Sequence, residues 1–232
     1  MNLLGLIGGE GGQSLNNYIF SIPNLVAYYP LDETSGNAIN RAPATYGGLN
    51  GTLTSTIQGT QGQRGLGYTF DGANSVVNMS PNSSFDITTN FSGFALIKPN
   101  SFGEGNAGRI FNKMNAGLIG YDFVIVATNS VMRLIKDTDS NKSSDNSTIT
   151  TGVFQMVGFS YDGANIYYYK NGALVGSPAS TQNATTNAEN FSIGNRPDQS
   201  RTFDGIIQHV GLVNRVMTIA EHLRLAQLAG LA

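Results

Sequence analysis

Apolar and polar positions alternate with a period of two along most of this chain, and the alternation predicts strands. Tyr121, Phe123 and Ile125 alternate with Asp122, Val124 and Val126, which predicts a strand over 121–127 with both faces at least half covered. Over 152–161, Phe154 and Met156 fall on one face and Val157, Phe159 and Tyr161 on the other. The mainly apolar run Phe91 to Lys98, closed by Pro99, predicts a buried central strand. Further strands are expected over 25–31, 67–72, 75–79, 109–114, 131–135, 166–170, 173–175, 191–194 and 203–214, with a polar loop over 137–151. Punctuation supports these boundaries: Asp71-Gly72, Asn129-Ser130 and Asp162-Gly163 are turn pairs, and Asn171-Gly172 signals a type I′ hairpin. In the 203–214 strand, Gly205 leaves room for a bulge or a close neighbour. From Met217 the period changes. Ile219, Leu223, Ala226 and Leu228 recur at helical spacing, and Thr218 with Glu221 forms a capping box.

Four stretches also carry a family resemblance. LVAYYPLDETSGNAINRA followed by GLNGTLTS is similar to the opening of laminin-G-like domains of the concanavalin A-like superfamily, with Tyr29 at the usual Trp position. GYTFDG with its following strand, FSYDGANIYYYKNGALVGS, and the closing cassette from FSIGN to the final helix continue the likeness in the family's order, over roughly residues 25–228. The resemblance implies an all-β protein: a concanavalin A-like jelly-roll sandwich of two antiparallel sheets with a short C-terminal helix.

Composition narrows the function classes. Charged residues make up 12% of the 232, about half the usual share, which suits turn-rich β structure. A net charge of -2 offers no basic footprint, so nucleic acid is not an expected partner. With no cysteine, stability must come from packing and hydrogen bonds. No apolar run approaches the ~18 residues of a membrane span, so a soluble chain without a membrane partner is expected. The opening MNLLGLIGGEGGQSLNN lacks a basic n-region and reads as a flexible arm over 1–17 preceding a domain over 18–232. Within that arm Leu3, Leu4, Leu6 and Ile7 are candidates for docking into an apolar groove of a partner.

Candidate chemistry is sparse. Glycoside hydrolysis needs two carboxylates across the scissile bond, and the E.D..E strand motif of some enzymes with this sandwich is absent. Asp71, Asp162 and Asp204 each precede Gly and read as turn residues, so no enzyme is expected. His209 reads as a satisfied strand residue and His222 as a solvated helix residue. Laminin-G-like domains often hold a structural calcium at the sheet rim. Asp32 and Asp204 are the oxygen ligands this chain could offer, whereas Gln208 and His209 stand where the family's last strand often has Asp and Glu. No other cofactor is expected. Sugar binding is a common role of the fold and uses an aromatic face. Trp is absent, and Tyr167 with Tyr169 on one face of their strand are the candidate platform, against the alternative that they simply cover the sandwich.

Two functional expectations follow. The first is a non-enzymatic virion structural or decoration protein, of a tailed bacteriophage since similar laminin-G-like proteins are phage-encoded. It would assemble on a particle with other virion proteins or its own copies, and would display a glycan-binding surface. The alternative is a stand-alone lectin-like module or adhesin that binds cell-surface glycans.

Overall fold

The computed structural model describes residues 13–43 and 49–232. Leu3, Leu4, Leu6 and Ile7 of the expected arm lie outside them. The last three residues assigned to that arm do not: they open helix α1 (Leu15–Phe20), where Ser14 caps the helix by accepting from the Asn17 N–H and Leu15 and Ile19 are buried.

The strands follow the alternation closely. In chain order they are β1 (Leu25–Tyr29), β2 (Thr52–Thr54), β3 (Ile57–Gln61), β4 (Leu66–Asp71), β5 (Val76–Met79), β6 (Phe91–Pro99) and β7 (Arg109–Met114). Then come β8 (Gly120–Val126), β9 (Val131–Lys136), β10 (Gln155–Tyr161), β11 (Ile166–Lys170), β12 (Ala173–Leu174), β13 (Phe191–Ile193) and β14 (Asp204–Val213). Helix α2 (Ile219–Ala229) closes the chain with the expected capping box between Thr218 and Glu221. Asn171 and Gly172 both have positive φ, 48° and 80°, as a type I′ turn requires.

Among the described residues these strands form two antiparallel sheets. One has eight strands in the order β12-β11-β10-β6-β14-β4-β3, with β1 also paired to β14; the other runs β2-β5-β13-β7-β8-β9. The fold class is therefore the expected all-β sandwich. Its main core lies between the sheets, where Phe111 meets Phe123, Phe159 and Phe191 at ring separations of 5.4, 6.2 and 5.6 Å.

A second core covers the outer face of the eight-stranded sheet. Phe94 and Leu96 of β6, Met156 of β10 and Val213 of β14 pack there beneath Leu15 and Ile19 of α1 and Leu225, Ala226 and Ala229 of α2. This explains the unbroken apolar run of β6: Phe91, Ala95 and Ile97 face the other sheet, and Phe94 and Leu96 face the helices.

Two expectations are corrected. His222 is buried, not solvated, because α2 lies on the sheet with His222, Leu225, Ala226 and Ala229 inward, leaving Ile219 and Leu223 of the expected stripe exposed. Asp204 and Gly205 do not form a turn: they begin β14, opposite Asp71 and Phe70. Of the two possibilities at Gly205, a bulge or a close neighbour, the structure has the second: Gly205 permits the close approach of β6, and the β14 bulge falls further on, between Gln208 and Gly211.

Candidate functional site

The bulge in β14 positions the site. Along one edge β14 pairs with β4 over Asp204 to Ile207 and then with β1 over Val210 to Val213. At the changeover His209 takes a left-handed backbone, φ 48°, and its N–H bonds the Pro30 carbonyl at 3.1 Å. The extra residue lets two successive side chains reach the same place. Gln208 Nε2 lies 3.0 Å from the Arg64 carbonyl oxygen and His209 Nε2 3.4 Å from it.

Arg64 sits at the tip of the β3–β4 hairpin, and Gln208 clamps that tip. Its Nε2 donates to the carbonyls of Arg64 and Leu66, at 3.0 and 2.5 Å, and its Oε1 accepts from the Gln63 N–H at 2.8 Å. The approach is close enough that a Cβ on Gly62 would lie 2.2 Å from the Gln208 carboxamide carbon. Gln63 Nε2 also reaches the Ala229 carbonyl at the end of α2, at 3.4 Å. On the other side, the Tyr28 hydroxyl donates to Asn16 Oδ1 of α1 at 2.6 Å and lies 2.7 Å from His209 Nδ1.

These pieces enclose a surface cleft of about 680 Å³. Leu15, Leu66 and Leu228 supply apolar walls, and Asn16, Arg64, His209 and Gln227 supply hydrogen-bonding groups. Burial drives the His209 imidazole down to about 4, so the ring is neutral at pH 7. Asp32 lines the cleft too, with its Oδ1 held by Arg41 at 2.5 Å.

A second cleft of about 570 Å³ lies among Thr138, Asp139, Lys142, Ser180 and Gln182. There most of the polar groups bond one another, leaving Lys142 and Thr138 at the rim. Lys136 Nζ, stacked 3.6 Å over the Tyr161 ring, donates to Ser180 Oγ at 2.7 Å and to the Gln182 carbonyl, and Ser180 Oγ donates to Asp139 at 2.5 Å. The first cleft, with its apolar walls and uncommitted donors, is the better binding surface.

The residues singled out in the sequence distribute unevenly. Tyr167 and Tyr169 do share a face, but Tyr169 is 6% exposed under α2, and the Tyr167 hydroxyl donates to Asp162 at 3.1 Å. The burial of Tyr169 rules out the two-ring platform. Asp204 accepts from Asn100 Nδ2 at 3.1 Å near the start of β14, about 16 Å of extended strand from His209, so Asp32 and Asp204 do not share a site. Among the described residues no three His, Cys, Asp or Glu side chains gather as a metal would require. The donors do not fit the calcium implied by the resemblance: Arg41 holds Asp32, and the Gln208 carboxamide is spent on the hairpin. Arg64, Asn16 and Gln227 carried no signal in the sequence. Gln208 and His209 were marked there only by departing from the family pattern.

A two-sheet sandwich with helices over one face and a mixed polar and apolar cleft beside them belongs to the lectin class of jelly rolls. The sequence profile Laminin_G_3, of the concanavalin A-like lectin/glucanases superfamily, matches residues 71–221, and the chain belongs to that family. No curated protein matches it by sequence. Among solved structures it is similar to domain 4 of AbnA, a GH43 extracellular arabinanase from Geobacillus stearothermophilus, in complex with arabinotriose. The TM-score is 0.65 and the identity 19%, over 88% of this chain and 98% of that one. The binding domain of Paraclostridial Mosquitocidal Protein 1 matches with a TM-score of 0.64 and 14% identity, over 88% of this chain and 52% of that one. Trypanosoma rangeli sialidase in complex with sialic acid matches at 0.62 and 12%, over 91% and 36%. The chain thus spans about half of the toxin domain and about a third of the sialidase. At these identities the likeness is one of fold.

Proposed function

We propose that this chain is a non-enzymatic glycan-binding module. One observation carries the reading: the cleft joins aliphatic walls to amide and guanidinium groups, with Gln208 holding the hairpin backbone under Arg64 and the Tyr28 hydroxyl holding the Asn16 side chain. A sugar presents the complementary pair, an apolar ring face and a rim of hydroxyls. The arabinotriose complex of the similar arabinanase domain, which this chain matches along 98% of that domain's length, supports the same reading. Asp32, the one carboxylate lining the cleft among the described residues, is bound to Arg41, whereas hydrolysis would call for two carboxylates placed across a bond.

Binding of the full chain to a glycan array, repeated with Gln227→Trp, tests this. Gln227 is exposed at the cleft, so the indole should block binding and leave the melting temperature unchanged. An array on which nothing binds, or binding indifferent to the indole, would overturn the reading.

The module would act at a particle surface if residues 1–12 provide the attachment. They join the described chain at Gln13, on the lip of the cleft, and carry Leu3, Leu4, Leu6 and Ile7. Light scattering of the full chain beside a variant with those four residues changed to Ser tests a virion decoration role. A discrete assembly lost in the variant supports it, and monomers in both remove self-assembly from its support.

A further inference from the structure

We infer that the cleft selects acidic saccharides, and that Arg64 pairs with the sugar carboxylate. This rests on the glycan-binding reading above and names the ligand class of that site.

The argument starts from charge. Among the described residues two charged side chains line the cleft, Asp32 and Arg64. Asp32 is held: Arg41 NH2 lies 2.5 Å from its Oδ1 and also reaches Glu33, at 3.5 Å. Arg64 is not. Among the described residues its guanidinium enters no hydrogen bond or ion pair, and its side chain is exposed beside Gly230, the left-handed residue that ends α2. His209 adds no charge, since burial keeps its ring neutral. The cleft lining therefore offers, among the described residues, one guanidinium with no partner, whose planar donors suit a carboxylate.

Position supports the same conclusion. The Arg64 main chain is held at its own carbonyl, at the preceding Gln63 and at Leu66 two residues on by Gln208, which is fully buried. Only the side chain must be ordered when a ligand binds, which limits the entropic cost. The end of α2 beside the guanidinium presents the negative end of a helix dipole, which favours an arginine there without satisfying its donors. Neutral amides at Asn16 and Gln227 and the walls of Leu15, Leu66 and Leu228 remain for the hydroxyls and ring of the same sugar.

The test compares matched probes by titration calorimetry on the full chain: trigalacturonate against its methyl ester, and 3′-sialyllactose against lactose. One of the two acidic probes should bind at least about tenfold tighter than its neutral partner, as a charge-assisted pair would give. Arg64→Gln should abolish that preference while leaving the melting temperature unchanged. Raising salt from about 0.05 to about 0.5 M should weaken the acidic probe alone. Equal binding of acid and neutral partners by the wild type, or proportional loss of both in Arg64→Gln, overturns the inference and leaves the module reading intact. Binding of neutral glycans alone on the array has the same meaning. A chain that binds no saccharide at all overturns both.

Discussion

His222 lies flat on Tyr169, with ring centroids 4.0 Å apart and planes inclined by 16°. The stack joins α2 to β11, and His222 Nε2 adds a contact of 3.1 Å to Ser160 Oγ on β10. Tyr169→Ala should therefore cost about 3 kcal/mol or more in urea unfolding, whereas Tyr167→Ala, on a half-buried neighbour, should cost well under half of that. Equal small losses would show that the stack does not hold the helix.

Both histidines of the chain bear on stability below neutral pH. Burial lowers His222 to about 3 and His209 to about 4, from 6.5 in the unfolded chain. Their folded pKa values lie below the unfolded ones, so the unfolded state binds the extra protons first as pH falls. The stability they contribute is full above about pH 6.5 and declines towards pH 3, by at most about 1.4 kcal/mol per pH unit for each ring. The buried edge of Glu221 works against ionisation, yet Arg215 and the helix cap hold its carboxyl at about 2, so its contribution is lost only below about pH 4.5. Unfolding free energies between pH 6.5 and 5 therefore report the histidines. A flat profile in that window would contradict their burial as neutral rings.

Gln208→Leu removes three hydrogen bonds to the β3–β4 hairpin and leaves the Arg64 and Leu66 carbonyls without the carboxamide. The expected loss is about 2 to 3 kcal/mol, with faster amide exchange at Gln63 to Leu66 than elsewhere in the sheet. Saccharide affinity should fall with it, because the Arg64 main chain loses its anchor. Unchanged exchange in the hairpin would show that the turn holds itself.

Asp122 is fully buried on the six-stranded sheet, where Arg109 Nε and NH2 both reach its Oδ2 at 2.8 Å and Asn112 Nδ2 reaches Oδ1 at 2.7 Å. Asp122→Asn would leave the buried Arg109 charge uncompensated, at a cost of about 3 to 5 kcal/mol by chemical denaturation. A double change to Asp122→Asn with Arg109→Met should recover part of that loss. Failure of the second change to help would place the cost elsewhere.

The strands were legible because their signals are local. Alternation in β8 and β10, the continuous apolar run of β6 and the Asn171-Gly172 turn depend on backbone sterics within a few residues. Three short elements were not legible as elements. β2 and β3 are Thr- and Gln-rich with little apolar alternation, and the six residues of α1 are too few to establish a helical stripe. For α2 the helix and its cap were evident, but its inward face was not, because a buried histidine is indistinguishable from a solvated one until Tyr169 and Ser160 lie beneath it.

The sequence by itself determined most of the strands and the closing helix, since those follow from short-range periodicity and turn chemistry, and the family resemblance of four stretches implied the sandwich class. The tertiary structure alone decided the cleft. Asn16, Arg64, His209 and Gln227 come from four separate elements, and Gln208 meets Arg64 across 144 positions of chain. Their convergence depends on the β14 bulge and on the packing of two helices over one sheet, neither of which any single stretch of residues encodes.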